Sequence, residues 1–242
     1  MTTAIGRLGV WTPLDANTPD ENAEFAQQLE RWGYSALWIP EAVGIDPFCT
    51  LAYLAARSER LVLATGIANI YARDPMTLKA IHKTMSLLAP GRFVLGIGVS
   101  HQHLVGGLRG HEYKKPVPAM RECLDAMDQA LYLARGPEQD APIVLAALRP
   151  RMLKLAAERT RGAHPYFVTP EHTKRARAIL GPDAWLCPEQ KVLLESDPAK
   201  ARAVARAAMK IYLRAPNYQN SLRELGFDEA DWADPGNASE RL

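Results

Sequence analysis

The chain has 242 residues, 48% hydrophobic, 23% charged and 7% aromatic, with 29 Lys and Arg against 27 Asp and Glu for a net charge of +2. That balance is ordinary for a globular protein and leaves aside disordered, collagen-like and coiled-coil classes and a dedicated nucleic-acid binder. Cys49, Cys123 and Cys187 lie too far apart for a disulfide framework or a zinc-ligand spacing, and no run of 18 apolar residues offers a membrane-spanning helix.

The opening MTTAIGRLGV has neither a basic flank nor a long apolar core, so a reduced, cytoplasmic protein is expected, with no membrane or nucleic-acid partner. From there the chain repeats one unit, a short apolar run followed by an Ala- and Leu-rich helical segment. The runs fall at 8–11, 36–39, 61–67, 93–99 and 143–146, weakly at 163–168, and at 185–194, where Pro188 interrupts. Most are continuous in apolar character, as parallel strands buried on both faces are.

Helix starts are marked by a capping oxygen before a proline at Thr18-Pro19, Asp46-Pro47, Asp74-Pro75, Thr169-Pro170 and Asp197-Pro198. Thr18 with Glu21 also fits a capping box. In the helix expected over 77–89, Leu78, Ile81, Met85 and Leu88 share one stripe. After residue 194 the pattern gives a helix over 198–213, a polar stretch around 215–220, a short helix near 222–225 and an acidic end. Seven strand runs alternating with helices predict a single α/β domain over residues 1–242, as a (β/α)8-type barrel or an open doubly wound sheet.

In a parallel α/β fold the carboxyl ends of the strands receive ligands. Gly96-Ile97-Gly98 ends the fourth run, but His101 stands where a dinucleotide fingerprint needs its last glycine. Thr65-Gly66-Ile67-Ala68-Asn69 ends the third run, and a glycine inside an apolar strand suggests a bulge or a rim kink. Glu41, after the second run, is either a solvated rim group or an acid–base residue. His101 and His103 form an HxH pair whose metal-site reading, as a barrel hydrolase, lacks further ligands. His101 is the better pocket residue; His82, on a helix beside core positions, reads as structural. Arg149-Pro150-Arg151 opens a helix, as a phosphate cradle or as a solvated basic face with Lys154 and Arg159.

Ala36-Leu37-Trp38-Ile39-Pro40-Glu41-Ala42, Leu63-Ala64-Thr65-Gly66-Ile67 followed by Arg73-Asp74-Pro75, and above all Gly91-Arg92-Phe93-Val94-Leu95-Gly96-Ile97-Gly98 resemble the bacterial-luciferase-like family of flavin and deazaflavin oxidoreductases. The resemblance extends over essentially the whole chain. His164-Pro165-Tyr166-Phe167-Val168-Thr169-Pro170-Glu171 and Pro188-Glu189-Gln190 are similar to the branch that uses coenzyme F420. It implies a barrel whose third strand carries a bulge, often with a non-proline cis peptide, here near Gly66-Ile67, behind the cofactor ring. It also implies Thr65, Gly66, Ile67, Asn69, Gly98, Ser100 and His101 about the ring. Ala147, Leu148, Arg149 and Arg151 would lie toward the phosphate, with His164 a further cofactor contact. The implied reaction is hydride transfer between the deazaflavin and an organic small molecule, with Glu41 and His101 as candidate proton carriers.

Two departures from the family accompany this. Ala42 follows Glu41 where some deazaflavin dehydrogenases have a His, which weighs against a sugar-phosphate dehydrogenase. Family members usually continue beyond the segment matching Ser239-Glu240-Arg241-Leu242 into a further helix, strand and helix, so the expected barrel lacks its last βα unit and leaves two sheet edges. The alternatives are an FMN-dependent monooxygenase and a truncated, non-catalytic homologue acting as a binding or assembly partner. A homodimer is the expected assembly, and substrate specificity is expected in 102–118 and 214–234.

Overall fold

The computed structural model describes residues 3–233 and 238–242. The expected alternation is present: β1 (Gly9–Trp11), α1 (Pro19–Arg31), β2 (Ala36–Ile39), α2 (Pro47–Ala55), β3 (Val62–Thr65), β4 (Ala68–Asn69), α3 (Pro75–Leu88) and β5 (Phe93–Gly98). A π-helical turn, His103–Leu108, leads to α4 (Pro116–Gln129), β6 (Ile143–Leu145), α5 (Pro150–Arg159), β7 (Gly162–Ala163), α6 (Pro170–Leu180) and β8 (Trp185–Leu186). α7 (Pro198–Met209), α8 (Pro216–Arg223) and a 3-10 turn at Glu229–Asp231 complete the described chain.

All five expected caps form. Thr18 closes its box with Glu21, Asp46 and Asp74 each accept two amide N–H groups, and Thr169 and Asp197 accept the amides of the first helical turn. A capping oxygen answers amides that have no helical partner, while proline at the next position gives up an N–H that had none.

The strands pair in parallel in the order β1-β2-β3-β5-β6-β7-β8, with β4 also on β5. This is an α/β half-barrel of seven strand positions, because β3 and β4 are two pieces of one strand. Leu63 pairs with Phe93 but Ala68 with Ile97, so one extra residue is inserted between them. Leu37, Ile39, Leu63, Phe93, Leu95, Ile97 and Leu145 face the helices in the main core. Ala36, Trp38, Val62, Ala64, Val94 and Val144 fill the concave side, with Trp11 and Trp185 packed against them. Burial on both faces explains the near-continuous apolar runs.

Three expectations are corrected. The last strand is only Trp185–Leu186, because Pro188 has no N–H to continue the ladder, and Val192 and Leu194 are exposed. The helix from Pro198 stops at Met209 rather than at Leu213. The polar stretch around 215–220 is itself helical, since Pro216 opens α8 and Tyr218, Ser221 and Leu222 bury one face. Among the described residues no helix is long and apolar enough to cross a membrane.

Candidate active site at the strand ends

The carboxyl ends of the strands form one rim, and the β3–β4 bulge is its centre. The Gly66–Ile67 peptide is cis. The Gly66 N–H donates to the Ile39 carbonyl at 2.7 Å, and the Trp11 indole N–H donates to the Gly66 carbonyl at 2.6 Å. A Cβ on Gly66 would lie 2.8 Å from Trp11 Cδ1 and 3.1 Å from His164 Nε2; one on Gly98 would lie 2.6 Å from Ile67 Cδ1 and 2.9 Å from Ala146 Cβ. The glycines therefore admit the chain's own side chains to the bulge. Thr65 is wholly buried; its hydroxyl donates to the Gly96 carbonyl at 2.7 Å and accepts from the Gly96 N–H at 2.9 Å.

Glu41 is drawn into the same bulge. One carboxylate oxygen accepts from Arg73 Nη1 at 2.6 Å and the other from the Asn69 N–H at 2.8 Å, with the Glu41 side chain 8% exposed. Arg73 also pairs with Asp46 and lies over the Phe48 ring. Both oxygens of Glu41 are thus committed to holding Asn69 and Arg73 in place.

Ser100 has a left-handed backbone, φ 56°, and its carbonyl accepts from the Tyr113 hydroxyl at 3.2 Å. His101 stacks on His103 and lies 5.6 Å from the Tyr218 ring. Burial, reinforced by His103, lowers its pKa against the opposing effect of a hydrogen bond to the Asn217 side chain. Among the described residues no group of three or more His, Cys, Asp or Glu could hold a metal. His164 stacks on Trp38 inside the sheet; its Nδ1–H donates to the Cys187 carbonyl at 2.7 Å, and Nε2 has no partner. His82 is buried with Nε2 2.8 Å from the Ala141 carbonyl, a packing role.

On the far side, Ala147, Leu148 and Arg149 lead into α5. His172 Nε2–H donates to the Leu148 carbonyl at 2.6 Å, while its Nδ1, also buried, has no partner. Arg149 lies 3.8 Å from the Glu224 carboxylate, and Arg175 donates to the same carboxylate at 3.0 Å. Arg151 is exposed. Lys154 is exposed too, whereas Arg159 pairs with Asp125 and Asp128.

Several rim residues were not assigned to the site from the sequence, although Tyr166 and Glu189 stand in the segments that resemble the F420 branch. Tyr166, after β7, lies 4.9 Å from Trp11 and shares a 2.6 Å hydrogen bond with the Tyr212 hydroxyl. Tyr218 packs on Tyr166, Tyr212 and Phe167. Lys191 donates to Tyr166 at 2.8 Å and to the buried Glu189 at 2.9 Å, and its ammonium lies over the Tyr166 and Tyr212 rings. Burial, then Tyr212, holds the Tyr166 phenol well above its ordinary pKa. A strand-end tyrosine was the one local signal.

The rim thus has a filled half, made by these aromatics, and an open half. The open half holds a cavity of about 170 Å³ against Glu41, Asn69, Ser100, Leu104, Leu108 and Arg109. A shallower hollow of about 380 Å³ adjoins it along Asp46, Arg73 and Arg109. The loop expected to set specificity supplies Leu104, Leu108 and Arg109 to this space; of the other expected segment, 234 lies outside the described residues.

A parallel α/β half-barrel with a bulged third strand and polar groups gathered at its strand ends defines a class of small-molecule barrel. The sequence model of the family described as luciferase-like monooxygenase matches residues 2–238, and the chain belongs to that family. A Mycobacterium tuberculosis protein named for coenzyme F420-dependent oxidoreductase activity is 26% identical, over 86% of this chain and 71% of that protein. The 5,10-methylenetetrahydromethanopterin reductase of Methanolobus tindarius is 25% identical, over 89% and 74%. The structure of the coenzyme F420-dependent tetrahydromethanopterin reductase from Methanopyrus kandleri shares the fold, with a TM-score of 0.74 at 18% identity over 97% of this chain and 82% of that one.

Proposed function

We propose that the protein is an oxidoreductase that moves a hydride between the deazaflavin coenzyme F420 and an organic small molecule. What supports this reading is a strand-end cavity lined by Glu41, Asn69 and Ser100 beside the bulged third strand, in a chain with a relative named for F420. The donor set also suits an anionic cofactor. The α5 start has Arg149 and Arg175 beside it, and both already hold a carboxylate, that of Glu224.

When bound, a deazaflavin supplies two-electron hydride chemistry. The chain's part is to bind, orient and manage a proton. Arg149 and the first turn of α5 would hold the phosphate, and Asn69 and Ser100 the ring edge. Glu41, with both oxygens engaged, fixes the bulge by holding Asn69 and Arg73. His101, kept neutral by burial, is left to take or give the proton at its imidazole nitrogen. Within the same proposal residues 1–242 act as one domain, in the cytoplasm, as a homodimer; exposed Val192, Leu194 and Ile211 support self-association.

Titration of the purified protein with F420 and, separately, FMN tests the cofactor, read by quenching of tryptophan fluorescence. The expected result is F420 binding about tenfold or more tighter than FMN. Tighter FMN binding would favour the monooxygenase reading, and binding of neither would overturn the oxidoreductase.

A further inference from the structure

One short segment, residues 212–224, reaches both places the cofactor would occupy. At the ring end, Tyr218 lies 5.6 Å from His101, and Tyr212 is hydrogen-bonded to Tyr166, which packs on Trp11 beside Gly66. At the phosphate end, Glu224 sets its carboxylate between Arg149 and Arg175, and Arg175 holds its backbone carbonyl as well at 3.1 Å. Planar rings thus stand at one end and an anion at the other, joined by α8, the chemical outline of a ring cofactor with a phosphate-bearing tail.

The same segment is lightly attached. It is joined to β8 through α7, which buries none of its side chains. Beyond the ring contacts of Tyr212 and Tyr218, its apolar contacts form a separate small cluster of Leu213, Leu222, Trp232 and Ala238 against Phe167, apart from the main core. Elements with few buried apolar contacts open at low cost.

We propose that residues 212–224 are an internal plug that occupies the cofactor berth and withdraws when the cofactor enters. This rests on the reading of the rim as a cofactor site. Tyr212 and Tyr218 close the ring half, and Glu224 neutralises the anion position that a phosphate would take. An incoming phosphate replaces the Glu224 carboxylate on the two guanidinium groups, and the freed α8 carries Tyr218 away from His101. The Lys191 contacts with Tyr166 and Tyr212 are the latch at the hinge side.

The test uses Glu224→Gln, a mild change that removes the internal anion, and Tyr218→Ala, which empties the ring half, each with a melting curve to establish folding. Inorganic pyrophosphate, titrated by calorimetry, probes the anion position without any cofactor. The expected result is about tenfold tighter pyrophosphate binding by Glu224→Gln than by the parent chain. Hydrogen exchange in 212–224 should rise in both variants, with α1 to α4 unchanged. F420, where it binds, should bind about tenfold tighter to both variants. Unchanged or weaker pyrophosphate binding by Glu224→Gln would overturn the plug, as would weaker F420 binding by Tyr218→Ala, which would make the segment a wall of the site. If Glu224→Gln gains pyrophosphate affinity yet no form binds F420 or FMN, Glu224 still masks an anion site, but the cofactor reading falls and the plug of a cofactor berth falls with it.

Discussion

Arg73 and Glu41 meet at 2.6 Å across the rim, and the pair is what ties β2 to the bulged strand: Glu41 passes the constraint on to the Asn69 N–H. Both side chains are largely removed from water; Glu41 is compensated by Arg73, while Arg73 keeps Asp46 as a second partner. Removing one partner of such a pair leaves an uncompensated charge, a larger loss than the pair itself contributes. Arg73→Met is expected to lower unfolding free energy by about 3 kcal/mol. Glu41→Gln, which still accepts from Asn69 and leaves Arg73 paired with Asp46, should cost only about 1 kcal/mol. Urea denaturation of both variants checks the ordering; equal small losses would show that the pair is solvated and does not hold the rim.

Thr65 makes a two-way bond with Gly96, donating to its carbonyl and accepting from its N–H, in a place with no access to water. Valine has the same shape but leaves two buried backbone groups without partners. Thr65→Val is therefore expected to cost about 2 kcal/mol, and Thr65→Ser, which keeps the hydroxyl, less than about 1 kcal/mol. Equilibrium unfolding monitored by far-ultraviolet circular dichroism distinguishes them. A valine variant as stable as the parent would mean that water or a shifted backbone supplies the missing bonds.

The layout of the barrel was legible because its signals are local. A cap oxygen before proline acts within one helical turn, and a strand buried on both faces is apolar at every position, so Asp46, Asp74 and Thr169 announce their helices. The bulge was legible as far as Gly66, a residue whose absent Cβ makes room for Trp11 and His164. What stayed hidden depends on contacts distant in sequence. Glu224 meets Arg149 across 75 positions, and nothing in either neighbourhood encodes the other. α8 was hidden for a different reason: the half-buried polar residues Asn217, Gln219 and Asn220 read as loop, while only Tyr218, Ser221 and Leu222 carry the helical stripe. Glu41 shows the limit for function, because a carboxylate at a strand end looks the same in sequence whether free to carry a proton or pinned by Arg73.

The three cysteines differ in reactivity in a way that reports on the core. Cys49 is exposed in the first turn of α2, where the Asp46 carboxylate pushes its thiol up, whereas burial pushes the Cys123 thiol up to about 11 and the Cys187 thiol up to about 12. Thiolate is the reactive form, so Cys123 is protected by access and by protonation, and the half-buried Cys187 chiefly by protonation. Alkylation with N-ethylmaleimide under native conditions should give a single adduct, on Cys49, with the others about a hundredfold or more slower. Peptide mass mapping reads the sites. Fast labelling of Cys187 would mean that β8, where its neighbour Leu186 is paired, opens readily.

His164 is expected to contribute acid sensitivity to the fold. It is enclosed between Trp38 and the bulge, and burial lowers its pKa to about 4 from an ordinary 6.5. The Cys187 carbonyl can only accept, so the ring donates through Nδ1 and keeps Nε2 unprotonated. The unfolded chain takes up a proton as pH falls below 6.5, and the folded chain does not do so until about 4. Stability is therefore full above pH 6.5, declines through that interval and levels off below it as far as this group is concerned. The loss from this one residue is about 3 kcal/mol. Burial shifts His82 and His172 in the same direction and steepens the slope. Unfolding free energies measured from pH 8 to pH 4 should show this decline, and His164→Gln, which cannot titrate, should flatten it by roughly one proton's worth. An unchanged slope in that variant would assign the acid sensitivity to the other histidines and place His164 in contact with solvent.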